Sequence, residues 1–233
     1  MRVDILTLFP GMFESPLKES LLKKAIDNDI LNISFTNIRD YSTNKHHKVD
    51  DYPYGGGKGL VISPEPVILA YESIEKRTNT KTIFLSPGGK VLSQDKLKEL
   101  SHYDQLILLC GHYEGIDQRA IEIIVDEEIS IGDYILTGGE LPALVLIDGV
   151  SRYLNGVVGS KESVQEDSLS NGLLKYPQYT NPRKFRNKEV PEILLNGHHK
   201  NIENWRKEQS YKRTQINRPD LWQKYLINKK EGK

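Results

Sequence analysis

Three short runs hold the residues best suited to gripping a small polar ligand. They are Ser86-Pro87-Gly88-Gly89, Gly111-His112-Tyr113-Glu114-Gly115, and Gly132-Asp133 followed by Thr137-Gly138-Gly139-Glu140. Glycine lets main chain approach a ligand closely, and a bare turn before a helix presents helix-start N–H groups. Pro142 falls where the first turn of such a helix would lie, and its missing N–H costs nothing there. Turns of this kind suit a dinucleotide, a nucleotide or S-adenosylmethionine. Taken alone, the stretch Ile129–Arg152 reads equally well as an ordinary strand-to-helix turn.

Other chemistries find little footing. Gly55-Gly56-Gly57-Lys58-Gly59 follows no strand directly and opens no clear helix, so it is not a dinucleotide fingerprint. It lacks the spacing and the Ser/Thr of a phosphate-binding P-loop. No GxSxG elbow occurs, and the single cysteine, Cys110, sits where a buried strand ends. No metal-ligand quartet is present. His46, His47, Asp50 and Asp51 read as part of a solvated loop rather than a metal site, while Tyr52 and Tyr54 offer rings for stacking on a nucleotide.

The elements that must position these runs alternate. Val3–Leu8 reads as a strand ended by Pro10-Gly11. Apolar residues from Leu17 to Ile26 recur at helical spacing, and Leu31, Ile33 and Phe35 alternate as a second strand. Thr82–Leu85 and Gln105–Leu109 are strands, Ser93–Leu100 and Ile116–Val125 helices. A third strand begins near Ile129 and extends through Ile135 and Leu136, before a helix over Leu141–Leu154. This βα alternation predicts an α/β fold with a parallel-type sheet, whose ligands gather at the carboxyl ends of the strands. The three glycine-bearing turns should then converge on one pocket.

Charge divides the chain. Its 233 residues balance 32 Lys+Arg against 32 Asp+Glu, yet residues 161–233 carry 16 basic and 9 acidic side chains. A basic tail on an acidic body points to a polyanionic partner, or to a solvated basic face without one. Asn155–Asn171, rich in Ser and Gly, reads as a flexible linker, and short helices are expected over Val190–Leu195, Ile202–Tyr211 and Leu221–Ile227, with Trp205 and Trp222 in the core. The N-terminus makes a poor signal peptide, no run is long enough to span a bilayer, and one cysteine fits a reducing cytoplasm.

The run IGDYILTGGELPALVLIDGVSR (131–152) resembles the signature of the bacterial tRNA (guanine-N1)-methyltransferases, members of the SPOUT class of knotted methyltransferases. DILTLFPGMF, DDYPYGGGKG, LSPGGK, CGHYEGID, GLLKYPQYTNP, VPEILLNGHH and NRPDLW match in order, from about Val3 to Trp222. Gly88, Lys58 and Asn181 depart from residues common in the family; the last puts one phosphate contact in doubt.

The resemblance implies a deep trefoil knot in a methyltransferase domain over 1–159, a flexible linker over 160–171, and a small, mainly helical, basic tRNA-binding domain over 172–233. It implies S-adenosylmethionine as methyl donor, held by Gly111, Ile131, Gly132, Asp133, Tyr134, Ile135 and Leu136, with Pro87, Tyr113, Glu114, Gly138 and Gly139 as further contributors. The acceptor is then N1 of guanosine 37 of tRNA, with Asp167 as general base and Arg152 offsetting charge on O6. Without the family match, Asp167 reads as a solvated linker residue and Arg152 as a charge favourable to a helix C-terminus. Lys184, Arg186, Arg206, Lys207, Lys212, Arg213 and Arg218 are candidates for gripping phosphate. The family works as a cytoplasmic homodimer with active sites at the subunit interface, Asp167 of one chain serving the other's pocket; Mg2+ is expected, with no recognisable site. Another SPOUT-type RNA methyltransferase, or an RNA-binding module with a degenerate fold, are the competing readings.

Overall fold

The computed structural model describes residues 1–159, 168–169 and 171–231. It divides into two compact units, Met1–Gly159 and Ser160–Lys233. Asp167 and most of the 160–171 linker lie outside the described residues.

The first unit is an α/β fold. Strands β1 (Arg2–Thr7), β2 (Asn32–Asn37), β5 (Thr80–Val91), β6 (Gln105–Cys110) and β7 (Glu127–Ser130) form one parallel sheet in the order β2-β1-β6-β5-β7. A two-stranded ribbon of β3 (Asp50–Asp51) and β4 (Val61–Ile62) stands apart. Helices are α1 (Glu14–Leu17), α2 (Ser20–Asp27), α3 (Pro64–Glu72), α4 (Gln94–Leu100), α5 (Gln118–Ile124) and α6 (Glu140–Ser151).

Strand β6, QLILLC, is buried at every position, as a central parallel strand covered on both faces must be. Its side chains sort by the period of two. Leu106, Leu108 and Cys110 join Val3, Ile5, Ile83 and the buried face of α6 in one core. Ile107 and Leu109 join Leu6, Phe84 and residues of α3 and α5 in the other. The amino ends of the strands are closed by buried Asp4, which accepts from Arg2 Nη2 at 2.7 Å and from Gln105 Nε2 at 2.6 Å. The opposite, carboxyl ends are left for a ligand.

Three local expectations need correction. Ser86–Gly89 is not a turn that ends a strand. The register on β7 jumps between Leu85 and Lys90, and β5 then resumes, pairing Lys90 with Ile129 and Val91 with Ser130. Gly89 makes this bulge possible, because a Cβ there would overlap the Glu128 carbonyl and the Ile129 nitrogen. The strand begun near Ile129 stops at Ser130: Gly132 turns at φ 142° and Ile135 is 79% exposed, with no strand beside it among the described residues. The helix read over 17–26 is broken between α1 and α2, where Glu19 is extended.

In the second unit, β8 (Lys184–Phe185) and β9 (Lys188–Glu189) pair antiparallel, ahead of a 3-10 turn over Glu192–Leu194 where a short helix was expected, and of helices α7 (His199–Asn217) and α8 (Pro219–Lys230). Both helices run longer than apolar spacing suggests. They break at Arg218, which Pro219 forces out of the helical region, to φ −141°. Trp222 packs against Tyr225 and Tyr211, with ring centroids 5.6 and 5.5 Å away, and both tryptophans are only partly buried. The Tyr211 and Tyr225 hydroxyls lie 2.9 Å apart; burial, then that neighbour, pushes the Tyr211 phenol up to about 12. Buried Thr214 ties α7 to the preceding chain, accepting from Leu174 N at 2.9 Å.

Candidate functional site

A cavity of about 320 Å³ opens at the bulge of β5 and the carboxyl ends of β6 and β7. Its floor is the meeting of β6 with the start of α6. Gly139 N donates to Gly111 O at 2.9 Å, and His112 pairs with Gly138 in a single antiparallel bridge. Glycine is required at both positions. A Cβ on Gly139 would lie 2.7 Å from Cys110 Cα, and one on Gly138 would lie 2.7 Å from His112 Cδ2. Here the demand is close approach, since Gly139 has an ordinary helical φ of −83°.

The second wall is the 111–117 turn, sewn to the segment before α3. Glu114 N donates to Leu60 O and Ile62 N to Gly115 O, both at 3.0 Å. Tyr113 adopts a left-handed φ of 59°, and its hydroxyl accepts from Arg39 Nη2 at 3.2 Å. Asp117 then caps α5, accepting from Arg119 N at 3.0 Å and holding the Arg119 guanidinium with both oxygens; that guanidinium keeps its carboxyl below the usual range. The third wall is the 130–138 loop, where Ser130 Oγ and the Gly132 main chain exchange hydrogen bonds at 3.1 Å.

Beneath the floor lies a buried polar pair. Glu140, 1% exposed in the first turn of α6, accepts from Thr7 Oγ1 at 2.7 Å. Cys110 lies fully buried nearby. Burial, and secondarily the Glu140 charge, pushes its thiol well above the usual range, which leaves it unsuited to nucleophilic work.

Pro87, Gly111, Tyr113, Glu114, Ile131, Gly132, Tyr134, Ile135, Leu136 and Gly138 all line this one cavity. Asp133 and Gly139 do not: the first is exposed, the second buried behind the wall. Arg152 caps the far end of α6, a helix of 12 residues and so about 18 Å long, and is not among the lining residues. Ser86, His112, Gly115, Thr137 and Pro142, named in or beside those runs but not assigned to the cofactor, also line it, as do Phe84, Ile129 and Ser130. All lie within or beside the same three runs, so taking each run whole would have found them. Among the described residues no group of three or more His, Cys, Asp or Glu could hold a metal, and no helix is long and apolar enough to cross a membrane.

The basic residues of the second unit differ in their engagement. Arg218 is held by both Asp220 oxygens, and Lys184 pairs with Glu189 at 3.0 Å. Arg206 lies over Tyr176, 4.8 Å from the ring centroid. Lys212 and Arg213 are exposed and form no ion pair among the described residues.

A parallel sheet with a cavity at the carboxyl ends of its strands defines an α/β ligand-binding fold. Sequence comparison makes the assignment narrower. The profile described as tRNA (Guanine-1)-methyltransferase TrmD matches residues 1–224. A protein named tRNA (guanine-N(1)-)-methyltransferase from Ruminiclostridium cellulolyticum is 56% identical over 98% of this chain and 99% of its own. Proteins of the same name from Carboxydothermus hydrogenoformans, 54% identical over 99% of this chain and 91% of theirs, and Clostridium botulinum, 51% identical over 100% and 96%, are similar throughout. The chain belongs to the tRNA (guanine-1)-methyltransferase family and is a methyltransferase.

Proposed function

We propose that the protein transfers the methyl group of S-adenosylmethionine to N1 of guanosine 37 of tRNA. The observation that carries this is the convergence of three sequence-distant runs on a cavity walled by main chain and apolar side chains. Such a wall suits a flat adenine ring and an amino-acid tail, and glycine at 111 and 138 lets its segments pack closely against Phe84 and against Glu140 and His112. When bound, the cofactor supplies an electrophilic methyl on a sulfonium centre.

The remaining chemistry falls to side chains of the chain. Guanine N1 carries a proton, which must leave as the methyl arrives. Asp167 takes it as general base. A free aspartate has a pKa of about 3.9, so the transfer needs help from stabilised charge on O6. Arg152 provides this with a guanidinium that donates to that oxygen. The target base must be unpaired and turned out of its stack, since N1 lies on the pairing edge.

The reading includes a second copy of the chain. Arg152 lies a helix-length from the cavity floor, and α6 leaves Leu141 and Val145 about half exposed on an otherwise buried apolar helix. A homodimer that covers this stripe, with Asp167 delivered to the partner's cavity, accounts for both. The trefoil knot and the basic second unit as tRNA grip belong to the same reading, as does a cytoplasmic location beside the substrate. Mg2+ is assigned no residue and no step.

The test is radiolabelled methyl transfer to unmodified tRNA bearing guanine or another base at position 37, with the product mapped. Incorporation at N1 that disappears on replacing the guanine is expected; incorporation at a ribose or elsewhere overturns the reading.

A further inference from the structure

The ribbon of β3 and β4 carries the largest exposed rings of the first unit, and nothing in the cavity chemistry uses them. Tyr54 is 98% and Tyr52 77% exposed. Their setting is built. Asp51 pairs with Val61 across the ribbon, and its carboxyl accepts from Tyr52 N at 2.9 Å and Lys48 Nζ at 3.2 Å. That main-chain bond, then Lys48, holds the Asp51 carboxyl below its usual range. Beyond the tyrosines, Gly55, Gly56 and Gly57 turn the chain at φ 83°, 81° and 135°. A Cβ at Gly55 or Gly56 would meet nothing within 4 Å, so the backbone conformation, not packing, calls for glycine there.

The chain that follows the tip reaches the cavity wall. It is sewn to the 112–117 turn through Leu60 and Ile62, and a Cβ on Gly59 would lie 2.6 Å from the Glu114 carboxyl oxygen. Arg39 reaches the same turn, where the Tyr113 hydroxyl steadies it, and forms no ion pair among the described residues. Two exposed rings on one segment and a guanidinium on another, both segments tied to the 112–117 turn that walls the cavity, match the pattern by which single-stranded RNA is held.

We propose that this tip is an RNA-contacting edge of the first unit: Tyr52 and Tyr54 stack on the unpaired bases flanking the target nucleotide, and Arg39 receives a phosphate between them. The proposal rests on the RNA-methylating function inferred above and adds a contact surface separate from the basic second unit.

Tyr52→Ala/Tyr54→Ala, Tyr54→Trp and Arg39→Gln are compared with wild type for cofactor binding by calorimetry and for methyl transfer to tRNA. Stacking on bases corresponds to a fall in kcat/KM for tRNA of about five- to a hundredfold in the double variant, with cofactor affinity unchanged. Tyr54→Trp retains activity, and Arg39→Gln flattens the salt dependence of tRNA binding. A 2-aminopurine beside the target base is quenched by wild type and not by the double variant. A double variant with wild-type kcat/KM and quenching, beside a wild type that methylates tRNA, overturns the proposal. A wild type that transfers no methyl to tRNA instead sinks the functional reading, and this inference with it.

Discussion

Thr7, at the end of β1, and Glu140, in the first turn of α6, share a buried 2.7 Å hydrogen bond across 133 residues of sequence. The pair fastens the sheet to the helix whose approach forms the cavity floor. Thr7 Oγ1 also accepts from Phe9 N at 2.9 Å, so one hydroxyl satisfies two partners. Thr7→Val keeps the shape and removes the donor, leaving a buried acceptor unpaired. The expected loss is about 1–3 kcal/mol in urea unfolding, with Thr7→Ser close to wild type.

Gly139 tests the floor itself. Gly139→Ala drives a methyl to 2.7 Å from Cys110 Cα and must push α6 off β6. Destabilisation of about 1–3 kcal/mol is expected, together with weakened S-adenosylmethionine binding in calorimetry. Wild-type affinity would show that the close approach does not shape the cavity.

Asp117 sets a pH dependence. Its folded pKa is lowered, first by the Arg119 side chain, so its contribution is fully present above the unfolded value of about 3.9 and is lost as pH falls through the lower folded value. Asp117→Ala should cost about 1 kcal/mol at neutral pH through loss of the α5 cap. That difference should shrink below about pH 4 in denaturant unfolding.

Cys110 should be silent. With its thiol buried and its pKa raised, native protein is expected to react with Ellman's reagent only after unfolding. Fast labelling under native conditions would mean that the β6–α6 junction opens.

Asp167 and Arg152 carry the chemical proposal. Asp167→Ala should bind cofactor yet transfer no methyl, and Arg152→Ala should lose most activity. Mixing Asp167→Ala with a chain whose cavity is narrowed by Leu136→Trp should restore measurable turnover, because one mixed site then joins an intact cavity to an intact aspartate. A mixture as inactive as its parts would place both contributions in one chain.

The order of α/β elements and the three glycine-bearing runs were legible in the chain, because glycine and helix-start chemistry are local and strand period is read residue by residue. Long-range pairing was not. Nothing local announces that β5 continues past Gly88-Gly89, since that register is fixed by the backbone of β7 lying against it. The same holds for Arg39 reaching Tyr113, and for Thr7 meeting Glu140. By itself the sequence determined which turns could face a ligand and that basic side chains outnumber acidic ones late in the chain. Tertiary structure alone decided that Gly139 stands behind the wall of the chamber those runs share and that Ser86–Gly89 bulges within β5 instead of ending it. The reason is that local chemistry fixes conformation, whereas proximity across the sheet depends on which strands become neighbours.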